Sequence, residues 1–257
     1  MSRVMAVSYG CVVYLFFLAI FLYAIGFVEN LPVPGMKTID SGAAETVAAA
    51  FAIDILLLAL FAVQHSVMAR RGFKRWWTRI VPPTLERSTY VLAASLALAL
   101  LIWQWRAIPA TIWSVDNEAA RVTLIGLSWL GWVMVLVATF LIDHFELFGL
   151  KQVVDHWHGR LPQPPTFTTP ALYKIVRHPI YLGFLFAFWA TPHMTAGHLL
   201  FAVATTGYIF VGILLEERDL MAHFGEDYRR YRERVPMIFP FPIRRGGRTP
   251  RTRRSPA

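Results

Sequence analysis

The sequence predicts an all-α fold, a polytopic integral membrane helix bundle of about five to six transmembrane helices with a C-terminal amphipathic helix. Three observations carry that prediction. Hydrophobic residues make up 56% of the 257 and charged residues only 16%, a balance far too apolar for an ordinary soluble domain. Apolar stretches recur near the ~20 residues that a bilayer crossing needs. The Lys and Arg residues, finally, gather in alternate connections between those stretches, which is the charge signature of a threaded membrane chain.

The first stretch, 9–28, is almost uninterrupted. Arg3 precedes it, but it runs too long for a cleaved leader and ends in Gly26-Phe27-Val28-Glu29-Asn30 without a small-x-small cleavage pattern, so it reads as a retained span. The single cysteine, Cys11, lies inside it, leaving no disulfide frame and no cysteine-based metal site. Residues 43–67, 88–105 and 122–142 supply three more spans. The last apolar block, 180–215, is broken around Thr191-Pro192-His193 and Gly197. Its first arm is short for a full crossing and reads as a tilted or partial hairpin. Leu220, Phe224, Tyr228 and Tyr231 then recur at helical spacing, the pattern of an amphipathic helix lying on a membrane surface. Residues 1–243 are expected to form one transmembrane domain, and 244–257 a disordered basic tail suited to anionic lipid heads.

All but three of the 25 Lys and Arg residues fall on one side of this arrangement; the exceptions are Lys37, Arg106 and Arg121. Positive charge is retained inside, so both termini are expected to face the cytoplasm, which requires an even number of crossings. The formal net charge of +9 thus reports topology first. It needs no nucleic-acid partner, and no nucleic-acid motif accompanies it.

The topology gathers ionisable residues at one depth. His65 closes the second span, Asp143, His144 and Glu146 close the fourth, Arg177 and His178 open the fifth, and Glu216-Glu217 close the last. Ionisable groups at a membrane edge cost several kcal/mol unless they serve a purpose. Pro179 suits a first helical position, and the free amides of that helix start, with Arg177 and His178 beside them, form a pocket for a carboxylate. Tyr181 offers a ring and a phenol, and Gly183 lets a ligand or helix approach closely. Asp54 stands eleven residues before His65, so both leave one helix face about 16 Å apart; it serves either the site or an interhelical hydrogen bond. The region 126–131 with its two glycines suggests close helix contact. The remaining His residues show no metal-like pairing, and no metal is required.

Arg177-His178-Pro179-x-Tyr181-x-Gly183, then Glu216-Glu217-x-x-Leu220, Phe224-Gly225-x-x-Tyr228-x-x-Tyr231 and Val235-Pro236, resembles the integral-membrane methyltransferases typified by isoprenylcysteine carboxyl methyltransferase and the phospholipid methyltransferases. That motif core spans 173–236. Gln64-His65-Ser66-Val67-Met68-Ala69-Arg70 and Asp143-His144-Phe145-Glu146-Leu147-Phe148-Gly149-Leu150 further resemble the nurim family, including its bacterial thiol-methylating members, over nearly the whole length. The resemblance implies residence in a bacterial inner membrane, S-adenosylmethionine as methyl donor and the small thiol methanethiol as acceptor, giving dimethyl sulfide. On that basis Arg177, His178 and the helix start would take the donor's carboxylate, Glu216 and Glu217 its ammonium or ribose, and Tyr181 its adenine or sulfonium. A thiol reacts as its thiolate, so a base is expected. His144 oriented by Asp143 is the favoured pair, with His65 the other candidate. Two alternatives stay open: methyl transfer to a lipid amine or prenylated carboxylate, and a non-enzymatic membrane scaffold, since family membership alone does not prove catalysis.

Overall fold

The computed structural model describes residues 2–42, 45–161 and 166–241; the basic tail 244–257 lies outside them. Among the described residues five helices are long and apolar enough to cross a membrane: α1 (Arg3–Val28), α2 (Val47–Ala69), α4 (Pro83–Gln104), α5 (Glu118–Ile142) and α9 (Ala196–Phe224), while α3 (Arg71–Trp77) is short and follows α2. A sixth apolar helix, α8 (Pro179–Trp189), has 11 residues, or about 16 Å of rise, and is the short arm expected from sequence. Between α5 and α8 lie α6 (His144–Leu147) and α7 (Leu150–His158), and α10 (Glu226–Arg234) follows α9.

Polar caps set the helix starts. Ser2, Thr46, Asn117 and Thr195 accept hydrogen bonds from the amides of Met5, Ala49, Ala120 and His198, satisfying donors that apolar surroundings would leave orphaned. The tightest packing joins α5 to α8. A Cβ on Gly131 would stand 2.4 Å from the Gly183 carbonyl, and one on Gly183 2.6 Å from the Gly131 carbonyl. Glycine at both positions therefore lets two backbones meet, as small residues do in membrane bundles. Gly126, by contrast, faces open space. Aromatic rings fill the centre: Trp132 stands edge-on to Phe21, Phe184 and Phe188, and Trp105 to Phe27 and Phe201.

Strand β1 (Thr111–Ser114) pairs antiparallel with β2 (His193–Thr195). This joins the α4–α5 connection to the α8–α9 turn on one face of the bundle. The α8 arm therefore runs from its start beside Glu217 toward the side that carries the β1–β2 pair. Two boundaries differ from expectation. Helix α9 continues seven residues past Glu217 to Phe224, so the diacid sits two turns inside a helix and Leu220 and Phe224 belong to that span. The amphipathic helix begins only after Gly225, whose φ of 53° turns the chain in a conformation glycine tolerates best. Asp54 is fully buried and accepts the Arg106 amide at 2.9 Å. That bond ties α2 to the end of α4, at the face opposite His65.

Candidate functional site

The start of α8 meets the middle of α9 in a compact ionic cluster. Arg177 Nε donates to Glu217 Oε1 at 2.7 Å, with both side chains almost fully buried. His178 Nε2 lies 3.2 Å from the same oxygen, and Arg232 Nε stands 3.3 Å from Oε2. Three basic groups thus converge on one buried carboxylate, the condition under which a charge pair survives desolvation. Arg177 Nη1 donates to the carbonyls of Arg232 and Val235, and the amides of Arg177 and His178 donate to Pro236 and Met237. The returning segment 235–238 therefore covers the helix start that sequence reasoning offered as a free anion pocket.

Adjacent acids on a helix point about 100° apart, and the two glutamates take different surroundings. Glu216 is half-exposed, accepting Tyr181 Oη at 3.1 Å. The Tyr181 ring tilts against His178 with centroids 5.6 Å apart. Gly183 admits the backbone of α5, so its close approach is to a helix. Around this group burial pushes the phenols of Tyr173 and Tyr228 well up and that of Tyr231 to about 12, despite the pull of Arg177 on the last. Tyr231 Oη, kept protonated, donates to the Tyr173 carbonyl at 2.6 Å.

Glu216 also heads a stripe. Tyr208, Gly212 and Glu216 follow at four-residue intervals on one face of α9, and Tyr181 Oη would touch a Cβ on Gly212 at 3.6 Å. Tyr208 Oη accepts from Ser66 at 3.2 Å, which brings in His65 on α2. His65 Nε2 lies 2.8 Å from Tyr90 Oη on α4, its ring stacks on Phe61 at 5.5 Å, and Tyr208 stands edge-on to it at 6.3 Å. Its Nδ1 is buried and has no partner among the described residues. Tyr208 lies about 12 Å, eight helical residues, from Glu216. Glu216 and Tyr181 thus stand near one end of this stripe, and His65, with its buried and unpartnered Nδ1, near the other.

His144 lies elsewhere. Its Nδ1 contacts Thr139 Oγ1 at 2.9 Å and its Nε2 Tyr14 Oη at 2.9 Å, while Phe140 stacks on it at 4.2 Å. Burial pushes the imidazole pKa down. The expected Asp143–His144 pair is not formed. Asp143 adopts φ 98° as the cap of α6, accepts the Glu146 amide, and takes Lys151 Nζ at 2.6 Å. Partial burial would raise the Asp143 carboxyl, but Lys151 and that amide hold it below the ordinary range. Sequence reasoning missed Tyr90, Tyr208 and Arg232. The Tyr208–Glu216 spacing was a readable signal; the partnership of His65 with Tyr90 crosses two helices and had none.

On the opposite face a cavity of about 270 Å³ is lined by Glu29, Ser128, Trp129 and His198 among others. Glu29 Oε1 there accepts Ser128 Oγ at 2.5 Å and Trp132 Nε1 at 2.6 Å.

The NnrU protein family matches residues 54–237. The chain is 59% identical to Methanethiol S-methyltransferase 1 of Bradyrhizobium diazoefficiens over 93% of its own length and 83% of the relative's. It is 57% identical to Methanethiol S-methyltransferase of Mycobacterium tuberculosis over 95% and 99%, and 34% identical to Nurim of Rattus norvegicus over 68% and 70%. No solved structure matches the chain.

Proposed function

The chain belongs to the NnrU family, and from that premise we propose that it transfers a methyl group from S-adenosylmethionine to methanethiol, forming dimethyl sulfide. The likeness that carries this reading is 57–59% identity across more than nine-tenths of the chain to relatives bearing that activity in their names. The protein is a multi-pass membrane methyltransferase acting on a small molecule. Its termini are assigned to the cytoplasm on the asymmetry of Lys and Arg, and its membrane to the bacterial inner membrane on the likeness to bacterial relatives.

The ionic cluster fits a donor that is at once cation, carboxylate and nucleoside. Glu216, half-exposed with one oxygen uncommitted, is assigned to the ammonium or the ribose hydroxyls. The Tyr181 ring is assigned to the adenine or the positively charged sulfur. Arg177 Nη2, without a partner among the described residues, is assigned to the carboxylate. Glu217 is already engaged by two guanidinium groups and an imidazole and acts as a positioning residue for Arg177 and His178. Bound S-adenosylmethionine supplies a methyl group on a cationic sulfur, so only the acceptor needs activation.

An alkyl thiol ionises above the ~8.5 of a cysteine and is mostly neutral at pH 7. With both ring nitrogens of His144 engaged, His65 is the better acceptor for the thiol proton. If its Nε2–H is donated to Tyr90, Nδ1 keeps a lone pair with no partner among the described residues; that nitrogen takes the S–H proton as the thiol sulfur acquires the methyl group.

Headspace analysis of purified protein given methyl-labelled donor and methanethiol tests this reading. Labelled dimethyl sulfide from the wild type, lost in His65→Gln with donor binding intact, is the expected result. Donor binding without volatile product in the wild type would overturn the thiol assignment and direct the search to lipid acceptors.

A further inference from the structure

Beside the Arg177–Glu217 cluster, the segment preceding α8, the end of α9 and the helix α10 border an open pocket of about 730 Å³. We propose that it holds the phosphate headgroup of an anionic phospholipid, which braces α10 over the donor site. Lys174, Arg230 and Arg234 line it against a single acid, Asp227, with Phe167, Phe224 and Tyr231 forming aromatic wall. Arg230 shares Glu226 at 3.5 Å; Lys174 and Arg234 make no ion pair among the described residues. Three cations around this hollow, two of them without an ion pair among the described residues, suit a phosphate oxygen set.

The level of the cavity points to a lipid as the source. Ile175, next to Lys174, is 55% exposed, and Phe239 and Phe241 are 48% and 72% exposed. Between them Val176 and Ile238 pack into the bundle against Ile209 and Ile213. The chain thus lies along the bundle wall with large apolar side chains turned outward, a placement that suits the acyl-chain boundary. Lys174, Arg230 and Arg234 then stand at headgroup depth, their stems along the apolar boundary.

The same helix completes the donor cluster. Arg232 supplies both a guanidinium to Glu217 and a carbonyl to Arg177, and Tyr231 holds the Tyr173 carbonyl. A phosphate joining Lys174 on one wall to Arg230 and Arg234 on the other resists displacement of α10 and so keeps Arg177 in place. The effect on donor binding rests on the function proposed above; occupation of the cavity does not.

Full-length protein in nanodiscs of phosphatidylcholine, with or without phosphatidylglycerol, provides the test. Native mass spectrometry reads retained phosphatidylglycerol, and titration reads S-adenosylmethionine affinity. The wild type is expected to retain the anionic lipid and bind the donor several-fold more tightly in its presence. Lys174→Gln/Arg230→Gln/Arg234→Gln is expected to lose both effects, at about fivefold in lipid affinity per residue, while matching the wild type in phosphatidylcholine alone. Arg234→Gln alone should show a partial loss. A variant with the arginines of 244–257 changed to Gln should keep both. The proposal fails if the cavity variant responds like the wild type or if the tail variant alone abolishes the response. It also fails if inorganic phosphate in phosphatidylcholine discs reproduces the gain. Lipid retention that follows the cavity charge, without donor binding in any disc, would uphold the lipid site and remove the donor assignment.

Discussion

Glu216 and Glu217 are neighbours in sequence with different tasks, and single substitutions separate them. Glu217→Ala strands a buried guanidinium, a loss of about 3–5 kcal/mol for a broken buried pair. It should lower the melting temperature in detergent and weaken donor binding together. Glu216→Gln removes a carboxylate that solvent reaches and whose described hydrogen bond is to Tyr181. Its melting temperature should stay near the wild type while donor affinity falls about tenfold, the worth of one charge-assisted hydrogen bond. Equal thermal losses in the two variants would refute the division. The histidines divide likewise. His65→Gln should cut turnover about 10²–10⁴-fold, as for a lost general base, with donor affinity unchanged. His144→Gln should act on melting temperature, because both ring nitrogens serve packing partners. Turnover lost selectively at His144 would return the base to that position. The motif residues Arg177, His178, Tyr181 and Glu216-Glu217 were legible because they cluster along the chain and carry charge beside apolar runs. The different partners of His65 and His144 were not legible, since they depend on which helix each ring meets.

At the scale of elements, the spacing of glycines was more informative than their number. The region 126–131 was read as a helix contact, and of its two glycines only Gly131 makes one. Gly131→Ala drives a methyl into the backbone of α8, a collision no side-chain rotation relieves. It should sharply lower the yield of folded protein. Gly126→Ala meets open space and should leave yield unchanged or raise stability by about 0.5–1 kcal/mol, the ordinary gain over glycine in a helix. A tolerated Gly131→Ala with full donor binding would show that the α5–α8 contact does not set the site. The short arm of α8 was readable from the break at 191–197, whereas the true end of α9 was not. Glu216, Glu217, Arg218 and Asp219 look like a boundary by hydropathy, yet Glu217 is neutralised internally and Asp219 pairs with Arg70 at 3.4 Å, so the helix continues through them.

For the whole molecule, the asymmetry of Lys and Arg predicts a threading, and the β1–β2 pairing brings the α4–α5 connection and the α8–α9 turn to one side, as that threading requires. The side on which the donor site opens decides whether the chemistry is workable, because S-adenosylmethionine is charged and does not cross a bilayer unaided. Arg79, after α3, and Asp116, before α5, are both exposed and lie at opposite ends of α4. In a Cys11→Ala background, Asp116→Cys should react with a membrane-impermeant maleimide in intact spheroplasts, and Arg79→Cys only after permeabilisation. The opposite pattern would put Arg177, Glu216 and Glu217 outside the cell, where no cytosolic donor reaches them. It would end the methyl-transfer reading for this orientation, however well the cluster binds the donor in detergent. Concordant labelling would instead place the donor cluster on the cytosolic side and the Glu29 cavity on the far side, leaving the apolar acceptor and product free to partition through the bilayer between them.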